Sequence, residues 1–201
     1  MNTRFKILIV VGIALILPAV AFADVAITGS ISVTGSQTTS SWNITYGPNA
    51  PQAAGFASIS PHAGTIADLD LENAYNMSVF TINVYQITFK TTGTFYLNAT
   101  ATHSFPKQAR MYFSTSLMSL TEFSGEASTN IDNSAPVPVS DSGILSLNLS
   151  DNTFTSSSGT SMHTAVFPID TTSVVIYLGF YLPPGAVSGA EIVLSGNFVL
   201  S

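Results

Sequence analysis

Alternating apolar and polar residues run through most of this chain and predict β-strands. The clearest case is the stretch 24–36, DVAITGSISVTGS, in which one register is apolar or glycine and the other holds Ala, Ser and Thr. The apolar or glycine register consists of Val25, Ile27, Gly29, Ile31, Val33 and Gly35. Because alternate side chains of a strand point to opposite faces, this stretch predicts a strand with one face to bury.

Eight later stretches show strand patterns as well. They are 42–46 (with Trp42, Ile44 and Tyr46 on one face), 76–90, 94–102, 108–116, 144–150, 164–170, 172–182 and 190–201. Pro168 indicates an edge strand at 164–170, because proline cannot donate to a central ladder. The stretch 172–182 is apolar on both registers, which is typical of a buried central strand.

The strand predicted at 76–90 changes its buried register. Its apolar positions are first Phe80, Ile82 and Val84, and then Tyr85, Ile87 and Phe89. Such a switch predicts a bulge or a bend between sheets.

The stretches 47–64, 121–143 and 151–161 are rich in Gly, Pro, Ser or Asn and are predicted as loops, and 117–123 could form one or two helical turns. Many short strands with Gly and Pro turns predict an all-β fold, a single β-sandwich of immunoglobulin-like or jelly-roll type. We assign 24–40 to an extended N-terminal arm and 41–201 to the sandwich.

Residues 1–23 have the features of a secretory signal peptide. Arg4 and Lys6 precede an apolar run, Pro18 ends the run, and Ala21-Phe22-Ala23 forms a cleavage signal. The alternative is a membrane anchor that stays attached, although the apolar run is short for a spanning helix. No later stretch has the apolar length of a span, so we expect none in the mature chain.

Charge restricts the partners. After residue 23 only Lys90, Lys107 and Arg110 are basic, against eleven acidic residues. Nucleic acid is excluded as a partner, because phosphate binding needs a basic surface. The chain has no cysteine, so export would bring no disulfide support.

Charged residues make up only 8% of the chain, against about 25% in typical domains, so another feature must keep its surface soluble. Four N-glycosylation sequons could supply that cover, at Asn43, Asn76, Asn98 and Asn148. We therefore expect N-linked glycans.

No catalytic or cofactor motif is visible. His62, His103 and His163 lack metal-ligand spacing, and the stretch 159–163, GTSMH, lacks the second glycine of a nucleophile elbow. We therefore expect no enzymatic activity and no cofactor.

Two minor sites remain open. Asp68, Asp70 and Glu72 alternate and form a weak calcium candidate, since calcium takes oxygen ligands. In a strand, the same three residues would simply line one solvated face. An internal isopeptide crosslink would need a buried Lys90 or Lys107, whereas lysine is usually solvated.

The N-terminal arm resembles the donor strand of chaperone–usher pilins, in which apolar residues alternate around a glycine, as Ile27, Gly29 and Ile31 do here. With the leader, the low charge and the sequons, the layout is similar to archaeal thread and bundling-pilus subunits, although the cysteines of chaperone–usher pilins are missing. The resemblance implies a secreted structural subunit that polymerises head-to-tail by donor-strand complementation into an extracellular filament for adhesion, biofilm or cell–cell contact. Identical subunits would be its partners, and Val25, Ile27, Gly29, Ile31 and Val33 would form the polymer interface.

Two alternatives stay open. A type IV pilin or archaellin-like subunit would keep its apolar N-terminus as a helix, and its mature chain would begin near Ile7. A monomeric carbohydrate-binding or adhesin module would need exposed aromatic residues, for which Trp42, Tyr46, Tyr96 and Tyr112 are the candidates.

Overall fold

The computed structural model describes residues 31–35, 41–53, 58–62, 66–70, 78–101, 105–124, 135–183 and 192–200. Nearly all regular structure in these ranges is β-strand. The strands are β1 (Ile31–Gly35), β2 (Trp42–Tyr46), β3 (Ser58–His62), β4 (Ile66–Asp70), β5 (Val79–Phe89), β6 (Gly93–Ala101), β7 (Arg110–Ser114), β8 (Phe123–Ser124), β9 (Val137–Pro138), β10 (Leu145–Asn148), β11 (Thr153–Ser156), β12 (Ser161–Met162), β13 (Thr164–Ile169), β14 (Val175–Leu182) and β15 (Ile192–Leu200). A four-residue helix, α1 (Ala50–Ala53), and a 3-10 turn, Leu120–Glu122, complete the regular elements.

The strands form two large sheets and two small hairpins. Sheet A has the order β1-β15-β6-β13, and sheet B has the order β12-β11-β10-β7-β14-β5-β2. The hairpins are β3–β4 and β8–β9. Among the described strand pairs, every one is antiparallel except β1 with β15, which is parallel. The all-β prediction is confirmed.

Side chains of both large sheets meet in one hydrophobic core. Phe95 of sheet A lies at its centre and is fully buried. Its ring contacts Trp42 and Phe89 of sheet B edge-on, at centroid separations of 5.5 and 5.3 Å. Phe198 stacks on Phe89 at 5.7 Å. Such aromatic pairs stabilise a fold by roughly 0.5–1.5 kcal/mol beyond their buried area, so these rings connect the two sheets.

The positions of two strands agree with their predicted character. β14 is buried in the middle of sheet B, between β5 and β7. β13 is the edge strand of sheet A, where Pro168 is exposed and is aligned with Thr94 of β6.

The predicted change of register in β5 occurs at Asn83. This residue has a φ of 56°, and the pairing of β14 with β5 shifts between Leu178 and Phe180. On one side of the bulge, Ile82 belongs to a second apolar cluster, and on the other side Val84 belongs to the main core. The bulge therefore lets one strand serve two cores.

The prediction of a continuous loop at 121–143 was wrong at its two ends. The 3-10 turn ends in β8, which pairs with β9, and Phe123 is buried. This covering segment (residues 117–124 and 135–139) packs on the face of sheet B away from the main core. There Phe123 contacts Tyr112 edge-on at 5.0 Å. Phe123 is the one phenylalanine of the predicted loop at 121–143, so this packing is hard to predict from the sequence.

Two other predicted loops also contain regular structure. The stretch 47–64 includes α1 and β3, and the stretch 151–161 includes β11 and β12. Here Phe154 is the one large apolar side chain, and it is fully buried against Phe113. The turn between β11 and β12 uses Gly159 at a φ of 86°, a conformation that favours glycine.

The helical elements within the described ranges are all too short to carry the chain across a membrane.

Candidate functional site

The edge of sheet A that contains β1 and β15 is the first candidate site. β15 is built by alternation: Leu194 and Phe198 are buried, while Ser195, Asn197 and Val199 are exposed. At Gly196 a Cβ atom would lie 2.6 Å from the ring of Phe95, so a larger residue would press the strand away from the core. The strand is thus held close to the core by a glycine.

β1 occupies the outer side of β15. The parallel register aligns Ile31 with Ile192, Val33 with Leu194 and Gly35 with Gly196. Ile31 and Val33 of the predicted polymer interface therefore lie beside the C-terminal strand. The other three predicted interface residues, Val25, Ile27 and Gly29, lie outside the described residues.

The other described edges of the large sheets are less suited to receive a strand. β13 carries Pro168, which removes one backbone donor from its outer edge. β12 is only two residues long and β2 only five. β15 has nine residues. A long strand at an edge needs a partner or a cover, because its backbone groups are otherwise open to pairing with another chain.

The asparagines of three of the four sequons lie in described strands, and their side chains differ in exposure. Asn98 is exposed on β6, where its Oδ1 accepts a hydrogen bond from Thr164 Oγ1 at 2.6 Å. Asn43 is half-buried on β2. Asn148 is half-buried on β10, and its Nδ2 donates to Asp151 at 2.7 Å. Asn76 lies outside the described residues. The outward position predicted for Asn98 on its strand is observed.

The weak calcium candidate falls partly on a hairpin. Asp68 and Asp70 are in β4, aligned with Ser60 and Ser58 of β3, and Glu72 lies outside the described residues. Within the described part of the chain, no three His, Cys, Asp or Glu side chains come together as metal ligands. Lys90 and Lys107 are both exposed, which contradicts an internal crosslink through either of them.

The aromatic residues considered for sugar binding divide into two groups. Trp42 and Tyr112 are buried, and Tyr112 donates a hydrogen bond to the carbonyl of Pro136 at 2.6 Å. Neither can stack on an external sugar, so both expectations are corrected. Tyr46 is 47% exposed and Tyr96 is half-buried.

A cleft that sequence reasoning missed lies on sheet B beside the covering segment. It has a volume of about 620 Å³. Its floor consists of outward side chains of β7, β10 and β11, and residues 135–138 form one wall. The sequence signal was the run of Ser and Thr on the polar registers of these strands, which is also typical of any solvated sheet face.

Arg110 is the basic residue of this cleft. Its Nη1 donates to the carbonyl oxygens of Lys107 and Ala109 and to Asn148 Oδ1, the last at 2.8 Å. Burial lowers the pKa of Arg110, while Tyr112 and Asp151 act in the opposite direction. Burial also raises the pKa of the Tyr112 phenol well above its ordinary value of 10.0. The Tyr112 phenol therefore keeps its proton at neutral pH and remains a hydrogen-bond donor.

Comparisons of this chain with protein-family models, with curated proteins and with solved structures found no match.

Proposed function

We propose that this chain is a secreted structural subunit that polymerises head-to-tail into an extracellular filament, each subunit adding its N-terminal arm to the sheet of the next. The observation that carries the proposal is the parallel pairing of β1 with β15 at the end of sheet A. An arm that fills this edge in one chain can fill the same edge of a neighbour, because the contacts are identical in the two arrangements. Two sheets around a shared core are the arrangement that a β-sandwich completed by such an arm would have.

The connection between β1 and β2 supports an exchange of β1 between subunits. β1 belongs to sheet A, whereas the next strand along the chain, β2, is an edge strand of sheet B. Among the described strands, β1 forms ladder hydrogen bonds with β15 alone. It can therefore leave sheet A without breaking another ladder. Strand addition of this kind gains affinity from backbone hydrogen bonds and specificity from alternate side chains.

Composition supports export and a structural role. The leader predicted at 1–23 would direct secretion, and the few charges and four sequons fit a glycosylated surface protein. Head-to-tail addition of the arm does not close on itself and therefore gives a filament. Adhesion, biofilm formation or cell–cell contact are the roles that such a filament would serve.

A thiol crosslink tests whether the arm pairs within one chain or between chains. Thr34 and Ser195 are aligned in the β1–β15 register, and the natural chain has no cysteine. A T34C/S195C variant should be bridged by a short bismaleimide and run on a denaturing gel. We expect a ladder of covalent multimers, because each arm would be joined to the next subunit.

The matched control is S146C/T155C, which joins aligned residues of the β10–β11 hairpin and must give bridged monomers. Thr34→Cys alone should give no ladder. If T34C/S195C yields bridged monomers only, in material taken from the cell surface, β1 is an ordinary strand of its own chain and the proposal fails.

Deletion of residues 25–33 provides an independent test. Electron microscopy should show filaments on cells that express the full chain and only monomeric, folded protein after the deletion. Filaments of normal length after the deletion would place the polymer contact elsewhere. Mass spectrometry of the surface material distinguishes the type IV pilin alternative, because a mature chain that begins at Asp24 lacks the helix which that assembly needs.

A further inference from the structure

We infer that the cleft on sheet B binds a neutral saccharide. This site is separate from the β1–β15 edge and goes beyond the proposed polymer function. Its volume of about 620 Å³ lies within the range of small-molecule sites, roughly 300–1,000 Å³. Residues of β7, β10 and β11 form its floor, and residues 135–138 of the covering segment form one wall.

The chemistry of the floor matches a polyhydroxyl ligand. A sugar hydroxyl both donates and accepts, so its site needs both kinds of partner. Arg110 offers donors, Asp151 offers acceptors, and the Gln108 amide and the Thr153 and Thr155 hydroxyls offer both. The three described hydrogen bonds of Arg110 all leave from Nη1, so its Nε and Nη2 donors have no described partner.

The charge balance favours a neutral ligand. Arg110 and Asp151 line the same cleft with opposite charges. An anionic ligand would gain one guanidinium but would meet Asp151 and a strongly acidic protein. A cationic ligand would gain at Asp151 but would meet the Arg110 guanidinium inside the cleft. A neutral ligand uses both groups as hydrogen-bonding partners without either repulsion.

The wall of the cleft provides apolar surface for the C–H face of a sugar ring. It is formed by Pro136, Val137 and Pro138, and Val137 is 58% exposed. Ser124 Oγ donates to the carbonyl of Val137 at 3.1 Å and holds this wall in the β8–β9 hairpin. No aromatic ring lines the cleft among the described residues, so we expect weak affinity for a single saccharide, with many copies in a filament raising the avidity.

The saccharide in the cleft could come from two sources. One is a glycan attached to this protein, since Asn148 lies in the cleft and belongs to a sequon. The other is a saccharide from outside. A glycosylated amide keeps one N–H, so the bond from Asn148 Nδ2 to Asp151 could persist with a glycan in place.

The test is saturation-transfer difference NMR, which observes the ligand and therefore works for monomers and filaments alike. The probes are glucose, galactose, mannose and N-acetylglucosamine, added to the full-length mature chain made without glycosylation. We expect saturation transfer to at least one of them. The S146A/T155V variant should weaken that binding about fivefold or more, because it removes hydroxyl partners from the cleft floor while keeping strand-compatible side chains.

The control variant is Thr94→Val, which removes a half-buried hydroxyl from sheet A and should leave binding unchanged. If S146A/T155V does not fold, Gly159→Asn is the second variant. It places a side chain at the rim of the cleft, and asparagine tolerates the positive φ of this position. Absence of saturation transfer for all four probes, or equal transfer in the cleft variants and the natural sequence, would overturn the inference.

A comparison of the natural glycosylated chain with a glycosylated variant identifies the source of the saccharide. Ser150→Ala removes the Asn148 sequon but keeps the Asn148 side chain. If the natural glycosylated chain binds no probe and its Ser150→Ala variant does, the cleft holds the protein's own glycan. If both samples bind, the ligand comes from outside.

Discussion

Tyr112 shows how one buried polar side chain fixes a pH limit of the fold. Its ring is fully buried between sheet B and the covering segment, and its hydroxyl donates to the carbonyl of Pro136. Burial raises the pKa of Tyr112 in the folded chain above its ordinary value of 10.0, and burial raises the pKa of Tyr181 in the same cluster as well. A phenol with a raised folded-state pKa contributes its full stability below the unfolded pKa.

We therefore expect the free energy of unfolding to fall as pH rises above about 10, because the unfolded chain then loses the proton first. Urea unfolding at pH 8 and pH 11 measures the effect. Tyr112→Phe should be less stable at pH 8 by about 1 kcal/mol, the usual net value of one hydrogen bond, yet should lose less stability between the two pH values. An unchanged pH dependence in this variant would show that Tyr112 does not control the limit.

Gly196 permits a close contact that no larger residue allows. A Cβ atom there would lie 2.6 Å from Phe95 and 3.0 Å from Trp42. Gly196→Ala should lower the free energy of unfolding by about 1–3 kcal/mol, the typical penalty for overpacking a core. Ser195→Ala, at the exposed neighbouring position, is the control and should change it by less than about 0.5 kcal/mol. Equal midpoints of thermal unfolding for the two variants would contradict this account.

At the scale of elements, the bulge of β5 depends on one asparagine. Asn83 has a positive φ, and its side chain bonds both backbone groups of Met118: Nδ2 donates to the carbonyl at 2.8 Å, and Oδ1 accepts from the amide at 3.0 Å. The same residue thus bends the strand and holds the covering segment on sheet B.

Asn83→Ala should be destabilising by about 2–4 kcal/mol, since it leaves two buried backbone groups of Met118 unpaired and replaces asparagine, which tolerates the left-handed region, by a residue that does not. Asn83→Gly removes the same hydrogen bonds but relieves the backbone, and should therefore be more stable than the alanine variant by about 1 kcal/mol. Chemical unfolding of the two variants measures the difference. A glycine variant no more stable than the alanine variant would contradict the role of the backbone conformation.

The elements that were predicted well from the sequence are those whose residue types directly reflect burial or an edge position. β14 is apolar on both registers and β13 carries Pro168, so the central and edge positions were readable. The register switch in β5 was readable for the same reason. β11 and the covering segment were not. Phe154 is a single apolar residue among Ser, Thr and Gly, Phe123 stands at the start of a predicted loop, and the burial of both depends on distant strands. The pairing of β1 with β15 is likewise a long-range choice that alternation alone does not specify.

At the scale of the whole molecule, the polar faces of the sheets determine where glycans can be carried. Asn98 is exposed at the centre of the outer face of sheet A, whereas Asn148 is half-buried and bonded at both ends of its amide. If the chain is exported and N-glycosylated as proposed, we expect mass spectrometry to find a higher glycan occupancy at Asn98 than at Asn148. The reverse order would mean that the chain is modified before β10 and β7 have paired.

The parallel pairing of β1 with β15 also has a consequence for how the chain matures. The two strands are about 160 residues apart, so β15 emerges after all the other described strands and β1 cannot pair with it until then. Contacts between such distant segments form late, because the chain must first close a very long loop. Each newly made chain therefore passes through a period in which a nine-residue strand has an open edge. If the chains polymerise as proposed, the chain's own arm and the arm of a neighbouring subunit would compete for this edge, and the local concentration of subunits would decide which of them binds first.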